Sequence, residues 1–224
     1  MHRKNIRNLR GRPLIGFTVE AALKAYETIP ELTVIVSTDD EEIMDVCKSM
    51  GVEVPFLRPA DLASDLSPSI DFVLHALDYY SLMGTQFESV MVLQPTSPMR
   101  TEEDIVEAFR LFHDEKAESL ISAFADETLS ENIMYRESNG VAVPLSSNHG
   151  AGLRRQDERP LLVRNGAIYI SRVDFVKRSK RLLSDRPSIY KMPKNRSFNI
   201  DTIADFELVS RLLDFPAVSQ LGDS

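Results

Sequence analysis

The chain has 224 residues, 43% hydrophobic and 27% charged, enough to bury a core within the size range of one α/β domain. No apolar run approaches the roughly 18 residues that cross a bilayer, so no membrane association is expected. A net charge of -8 opposes nucleic acid as the principal partner, because a duplex binder needs clustered positive charge.

The N-terminal segment crowds Arg3, Lys4, Arg7, Arg10 and Arg12 together, a local positive charge that attracts phosphate or else a solvated terminus. Residues 13–25 predict a helix with Leu14, Phe17 and Ala21 on its apolar face and Pro13 in its first turn. A buried strand follows at 32–36. Ser37-Thr-Asp-Asp-Glu-Glu then opens a second helix with a capping residue and an acidic first turn, and Gly51 stops it before a short strand at 52–56. Cys47, the only cysteine, falls in this helix and has no partner for an intrachain disulfide; it reads as a buried thiol in a reducing cytoplasm.

Helix 69–83, strand 90–93, helix 102–115 and strand 120–124 continue the alternation. It predicts a mostly parallel sheet with crossover helices. The rhythm fails over 126–164, a polar, turn-rich excursion that reads as a mobile loop or an inserted hairpin arm packed on a partner subunit. A strand at 166–171, a helix at 173–183, a strand at 188–192 and a helix at 203–213 complete the order.

Val90-Met-Val-Leu-Gln-Pro-Thr-Ser-Pro-Met-Arg100 joins a continuous apolar run, suited to a central strand covered on both faces, to a loop stiffened by Pro95 and Pro98. Gln94, Thr96, Ser97 and Arg100 form a polar ligand edge, or the loop is only a turn ahead of the helix that starts near Thr101. Asn199 and Asp201 flank one residue between a strand and a helix, where both side chains can offer oxygen to a hard cation such as Mg2+; alternatively Asp201 caps the helix, or capping and metal binding are shared between Asp201 and Thr202. Arg154-Arg-Gln-Asp157 and Arg164-Asn-Gly-Ala-Ile-Tyr169 add cations beside a strand, with Gly166 permitting close backbone approach or a bulge. His2, His75, His113 and His149 have no zinc-ligand spacing, and neither a Gly-x-Ser-x-Gly elbow nor a complete P-loop is present.

Taken in order, Arg3-Lys-Asn-Ile-Arg-Asn-Leu, Gly11-Arg-Pro-Leu-Ile, Val36-Ser-Thr-Asp, Arg58-Pro-Ala-Asp-Leu-Ala, Leu93-Gln-Pro-Thr-Ser-Pro-Met-Arg, Arg164-Asn-Gly-Ala-Ile-Tyr and Asn199-Ile-Asp-Thr resemble the acylneuraminate cytidylyltransferases, or CMP-sialic acid synthetases, over nearly the whole chain. The resemblance implies a Rossmann-like nucleotide-diphospho-sugar transferase fold of α/β class, one domain over 1–224, with 126–164 as a dimerisation arm. It implies transfer of CMP from CTP to the anomeric hydroxyl of a nine-carbon sugar acid, with Mg2+ or Mn2+ as cofactor and a homodimer as the assembly. By position in the family pattern, Arg3, Lys4, Asn5, Arg58, Ser67 and Ser69 bind nucleotide. Gln94, Thr96, Ser97, Arg100, Arg155, Gln156, Arg164 and Asn165 face the sugar acid, Lys4 and Asp201 are catalytic, and Asp201 with Asn199 holds the metal. Neuraminate and legionaminate both fit.

Two departures accompany the resemblance. Family members begin with a strand and a Gly/Ser/Lys-rich phosphate loop, whereas Met1 stands almost where that loop ends, so Met1 is expected to be internal to a longer reading frame and the shortened chain to be impaired. Asn199 replaces the first of two metal-binding aspartates and should hold Mg2+ less tightly, since it carries no charge. A binding or assembly module, or a nucleotidyltransferase for another sugar, is the competing expectation.

Overall fold

A computed structural model describes residues 3–63, 68–150 and 160–214. In chain order its elements are β1 (Asn8–Leu9), β2 (Arg12–Pro13), α1 (Leu14–Thr28), α2 (Glu41–Ser49), α3 (Ser69–Leu82), β3 (Ser89–Leu93), α4 (Glu102–Asp114), β4 (Ser119–Asp126), β5 (Tyr135–Ser138), β6 (Val141–Pro144), β7 (Leu161–Arg172), α5 (Val173–Ser179), β8 (Ser188–Lys191) and α6 (Ile203–Leu212).

Helix starts follow their capping chemistry. The Asp40 side chain accepts from the backbone amides of Glu42 and Ile43 to start α2, and Gly51, at φ +83, lies just past its end. Thr101 with Asp104 and Thr202 with Asp205 form reciprocal capping boxes at α4 and α6. Pro13 takes the cap position of α1, one residue earlier than the first-turn place expected for it.

The main sheet has the order β3-β7-β4-β8. β3 and β4 both run antiparallel to β7, and β8 runs parallel to β4. Three of the four strands therefore share a direction, as the alternation predicted, and β7 is reversed. One face carries Leu120, Ile168 and Ile170, fully buried beneath Ala21, Ala25, Ile105 and Phe112 of α1 and α4. Each such aliphatic side chain contributes roughly 1.5–3 kcal/mol through burial. The other face packs Val90 and Val92 against Val73 and Leu77 of α3 and Val173 and Val176 of α5.

Two expected strands shrink. Residues 32–36 and 52–56 share only one isolated parallel bridge, Ile35 to Glu53, with a second just beyond them, Thr38 to Leu57, because neither segment has a further strand beside it among the described residues. β3 is covered on both faces as its apolar run implied, yet it stands at the end of the strand order, and all its residues are half-buried. Of the two readings of the excursion, the structure contains the hairpin. β5 and β6 form a hairpin closed by Asn139 (φ +52) and Gly140 (φ +77), and β7 resumes at Leu161, ahead of both Arg164 and the strand start expected at 166.

Candidate active site

An open cleft of about 370 Å3 is lined by Lys4, Asn5, Gln94, Pro95, Thr96, Asn199 and Asp201. Its walls come from three separate parts of the chain: the 3-10 turn Lys4–Ile6, the loop leaving β3, and the segment ahead of α6. Ile200 ties them together. Its amide donates to the Thr96 carbonyl at 2.8 Å, and its carbonyl accepts from Lys4 Nζ at 2.9 Å. The Ile200 side chain is fully buried with Leu9, Leu14, Met99 and Val209, so the backbone between Asn199 and Asp201 is anchored from below.

The helix cap at this point is Thr202, with Asp205 completing it, and Asp201 is not part of it. The Asp205 carboxylate accepts from the amides of Asp201 and Thr202 and from the Thr202 hydroxyl. These donors, the Thr202 amide foremost, hold it below the usual aspartate range. Asp201 thereby keeps its own carboxylate for the cleft, 67% exposed and 3.4 Å from Lys4 Nζ. Asn199 Nδ2 donates to Asp201 Oδ2 at 2.6 Å, while Asn199 Oδ1 is buried without a partner. An orphaned amide oxygen beside an exposed carboxylate is a donor set that fits a hard cation whose other ligands are waters and phosphate oxygens. Among the described residues no group of three or more His, Cys, Asp or Glu forms a metal cage.

The remaining expected site residues are distributed differently. Arg3 pairs with Asp40 at 3.1 Å and Glu42 at 2.5 Å, fastening the N-terminal segment to α2. Arg10 pairs with Asp214 and Arg12 with Glu20, while Arg7 lies over Phe206. Only Lys4 of these five cations lines the cleft. Arg58 donates to Asp39 at 2.7 Å and lies over Phe72 of α3, and Ser69 opens that helix; neither lines the cleft. Ser67, Arg155 and Gln156 lie outside the described residues.

Arg100, Ser97 and Asn165 turn inward. Arg100 is 3% exposed, and its Nη1 donates to the carbonyls of Ala167 at 2.8 Å and Gln94 at 3.3 Å. Burial pushes this guanidinium down to about 10, with Asp104 partly offsetting the effect. Asn165 Oδ1 accepts from the Ser122 hydroxyl and the Ala167 amide, and its Nδ2 donates to Ser197 Oγ. Arg164 is exposed above the Tyr169 ring. Sequence reasoning missed the supporting residues Ser122 and Ser197, and it read Pro95 as stiffening the loop, not as a residue that lines the cleft. Neither serine carried a signal, whereas Pro95 lies between two candidate residues.

A sequence model described as cytidylyltransferase matches residues 1–221. The chain is 33% identical over 213 residues to the CMP-N,N'-diacetyllegionaminic acid synthase of Legionella pneumophila, covering 94% of this chain and 89% of that protein. It is 32% identical over 213 residues to the N-acylneuraminate cytidylyltransferase of Escherichia coli, covering 93% of this chain but 48% of that protein. The pseudaminic acid cytidylyltransferase of Campylobacter jejuni is 27% identical over 212 residues, with 94% and 89% coverage. Among solved structures, CMP:2-keto-3-deoxy-manno-octonic acid synthetase complexed with CTP has the same fold, with a TM-score of 0.65 at 17% identity over 94% of this chain and 91% of that one. With its Rossmann-like α/β fold and an ordered set of motifs that spans its length, the chain belongs to the cytidylyltransferase family of nucleotidyltransferase enzymes.

Proposed function

We propose that the protein transfers the cytidylyl group of CTP to the anomeric hydroxyl of a nonulosonic acid and releases pyrophosphate. The observation that carries this reading is the convergence of Lys4, Asn5, Gln94, Thr96, Asn199 and Asp201 on one cleft. The names of the relatives, which cover legionaminic, neuraminic and pseudaminic acids, supply the acceptor class. In the reaction the hydroxyl oxygen bonds to the α-phosphorus as the bond to the β-phosphate oxygen breaks, pyrophosphate leaving and the hydroxyl proton passing to solvent. Lys4 offsets charge on the phosphates, Asn5 donates to them, and Gln94 and Thr96 orient the sugar acid. Asn199 and Asp201 would hold Mg2+, which when bound polarises the phosphate oxygens.

The β5–β6 arm fits a homodimer. Tyr135, Val141, Val143 and Leu145 are all between 45% and 62% exposed on it, an apolar surface suited to a second copy. A cytoplasmic setting suits the lone buried thiol of Cys47 and the lack of any helix, among the described residues, long and apolar enough to cross a membrane. The test is pyrophosphate release with CTP, Mg2+ and a panel of neuraminic, legionaminic and pseudaminic acids. Release with at least one acid is expected; none with any would refute the reading.

A further inference from the structure

β7 does not pass β4 in continuous register. Ile121 pairs with Tyr169 and Ala123 with Arg164, so the four residues 165–168 stand against Ser122 alone. Three contacts hold this bulge. Ser122 Oγ donates to Asn165 Oδ1 at 2.6 Å and accepts from the Ile168 amide at 2.8 Å. Asn165 Oδ1 also accepts from the Ala167 amide at 3.1 Å. Arg100 Nη1 bridges the carbonyls of Ala167 and Gln94, binding the bulge to the loop that leaves β3.

The bulge brings Gly166, at φ +77, against the Gln94 side chain. A Cβ at residue 166 would lie 2.7 Å from Gln94 Oε1, a separation that real Cβ atoms essentially never show. We propose that Gly166 is a positioning residue: its missing Cβ lets the Gln94 amide lie against the bulge and keeps that amide aimed along the cleft wall. This rests on the reading that Gln94 contacts the sugar acid. Positive φ alone would also favour glycine, but the two causes leave different traces. The clashing atom is the end of a flexible side chain, so a Cβ is accommodated by swinging Gln94 aside. Stability then changes only through the backbone, while the amide leaves its place.

The test is a double-mutant cycle on Gly166→Asn, Gln94→Ala and the pair, with Asn chosen because it tolerates left-handed φ and so preserves folding. KM and kcat are read separately for CTP and for the sugar acid turned over fastest. Calorimetric titration of the same acid repeats the cycle without turnover. Each single change should raise the sugar-acid KM by about tenfold or more and leave the CTP KM unmoved. The pair should be no worse than Gln94→Ala alone. If the two effects multiply, or if Gly166→Asn weakens CTP as much as sugar acid, the positioning role is overturned while the role of Gln94 stands. If Gln94→Ala leaves sugar-acid KM unchanged, the contact reading fails and the proposal fails with it.

Discussion

Replacing Asn165 with Ala tests whether this residue builds the cleft wall from behind. Asn165 is 6% exposed and makes three conventional hydrogen bonds, to Ser122 Oγ at 2.6 Å, the Ala167 amide at 3.1 Å and Ser197 Oγ at 2.9 Å. Each contributes about 0.5–1.5 kcal/mol net. The partners are unequally harmed. Ser122 keeps the Ile168 amide and Ser197 keeps the Pro193 carbonyl, but no other acceptor is evident for the Ala167 amide. A buried unsatisfied donor costs about 1–3 kcal/mol, which overlaps the bond already counted at that position. The sum is on the order of 3 kcal/mol. With a urea dependence of about 3 kcal/mol per molar for a chain of this size, the unfolding midpoint should fall by about 1 M. A shift below about 0.2 M, the size of an ordinary surface substitution, would refute the pinning role and return Asn165 to the ligand.

Asp201→Ala should reduce pyrophosphate release by on the order of 100-fold or more yet leave thermal stability nearly unchanged, because the side chain is exposed and does not cap α6; an unchanged rate would exclude its metal role. The Thr128 hydroxyl, then the Lys194 ammonium and the Thr128 amide, hold the Asp126 carboxyl down to about 2. A depressed acid contributes its stability above its ordinary pKa near 4 and loses it as pH falls through about 2, so Asp126→Asn should lower Tm near neutrality by an amount that disappears in strong acid. Circular dichroism melts across that range check the sign; a gap independent of pH would contradict it. Val141→Asp with Val143→Asp should convert a dimer to monomer by light scattering, and a monomeric parent protein would defeat the arm's proposed role.

Helices were legible because their ends carry local chemistry. Asp40, Thr101 and Thr202 each bond amides two or three residues ahead, interactions that the sequence spacing alone specifies. Strands depend on distant neighbours. The apolar run at 90–93 signals cover on two faces but says nothing of its place in the strand order, and 32–36 needs a flanking strand before its bridge at Ile35 becomes a ladder. The reversal of β7 is invisible for the same reason. Its early start at Leu161 is hidden by the bulge, which breaks the alternation of more and less buried residues at Ala167 and Ile168. The arm's hairpin was legible as an alternative to a loop, and Asn139-Gly140 between short β-prone runs, a type I′ turn signal, is what places its turn.

The cleft shows a second limit of spacing. Gln94, Thr96, Ser97 and Arg100 share one short loop and one polar character, but Gln94 and Thr96 line the cleft while Ser97 is 2% and Arg100 3% exposed. Which way each side chain turns is decided by what β7 offers across the gap. The Ala167 carbonyl, thrust forward by the bulge, accepts from Arg100 and draws that cation inward; the same bulge, bare of Cβ at Gly166, leaves Gln94 the space above it. A charge that looked suited to a carboxylate is thereby committed to two backbone carbonyls. The loop's shape depends on that commitment, because a guanidinium bridging Gln94 and Ala167 fixes the distance between the strand end and the bulge, and with it the wall against which Gln94 rests.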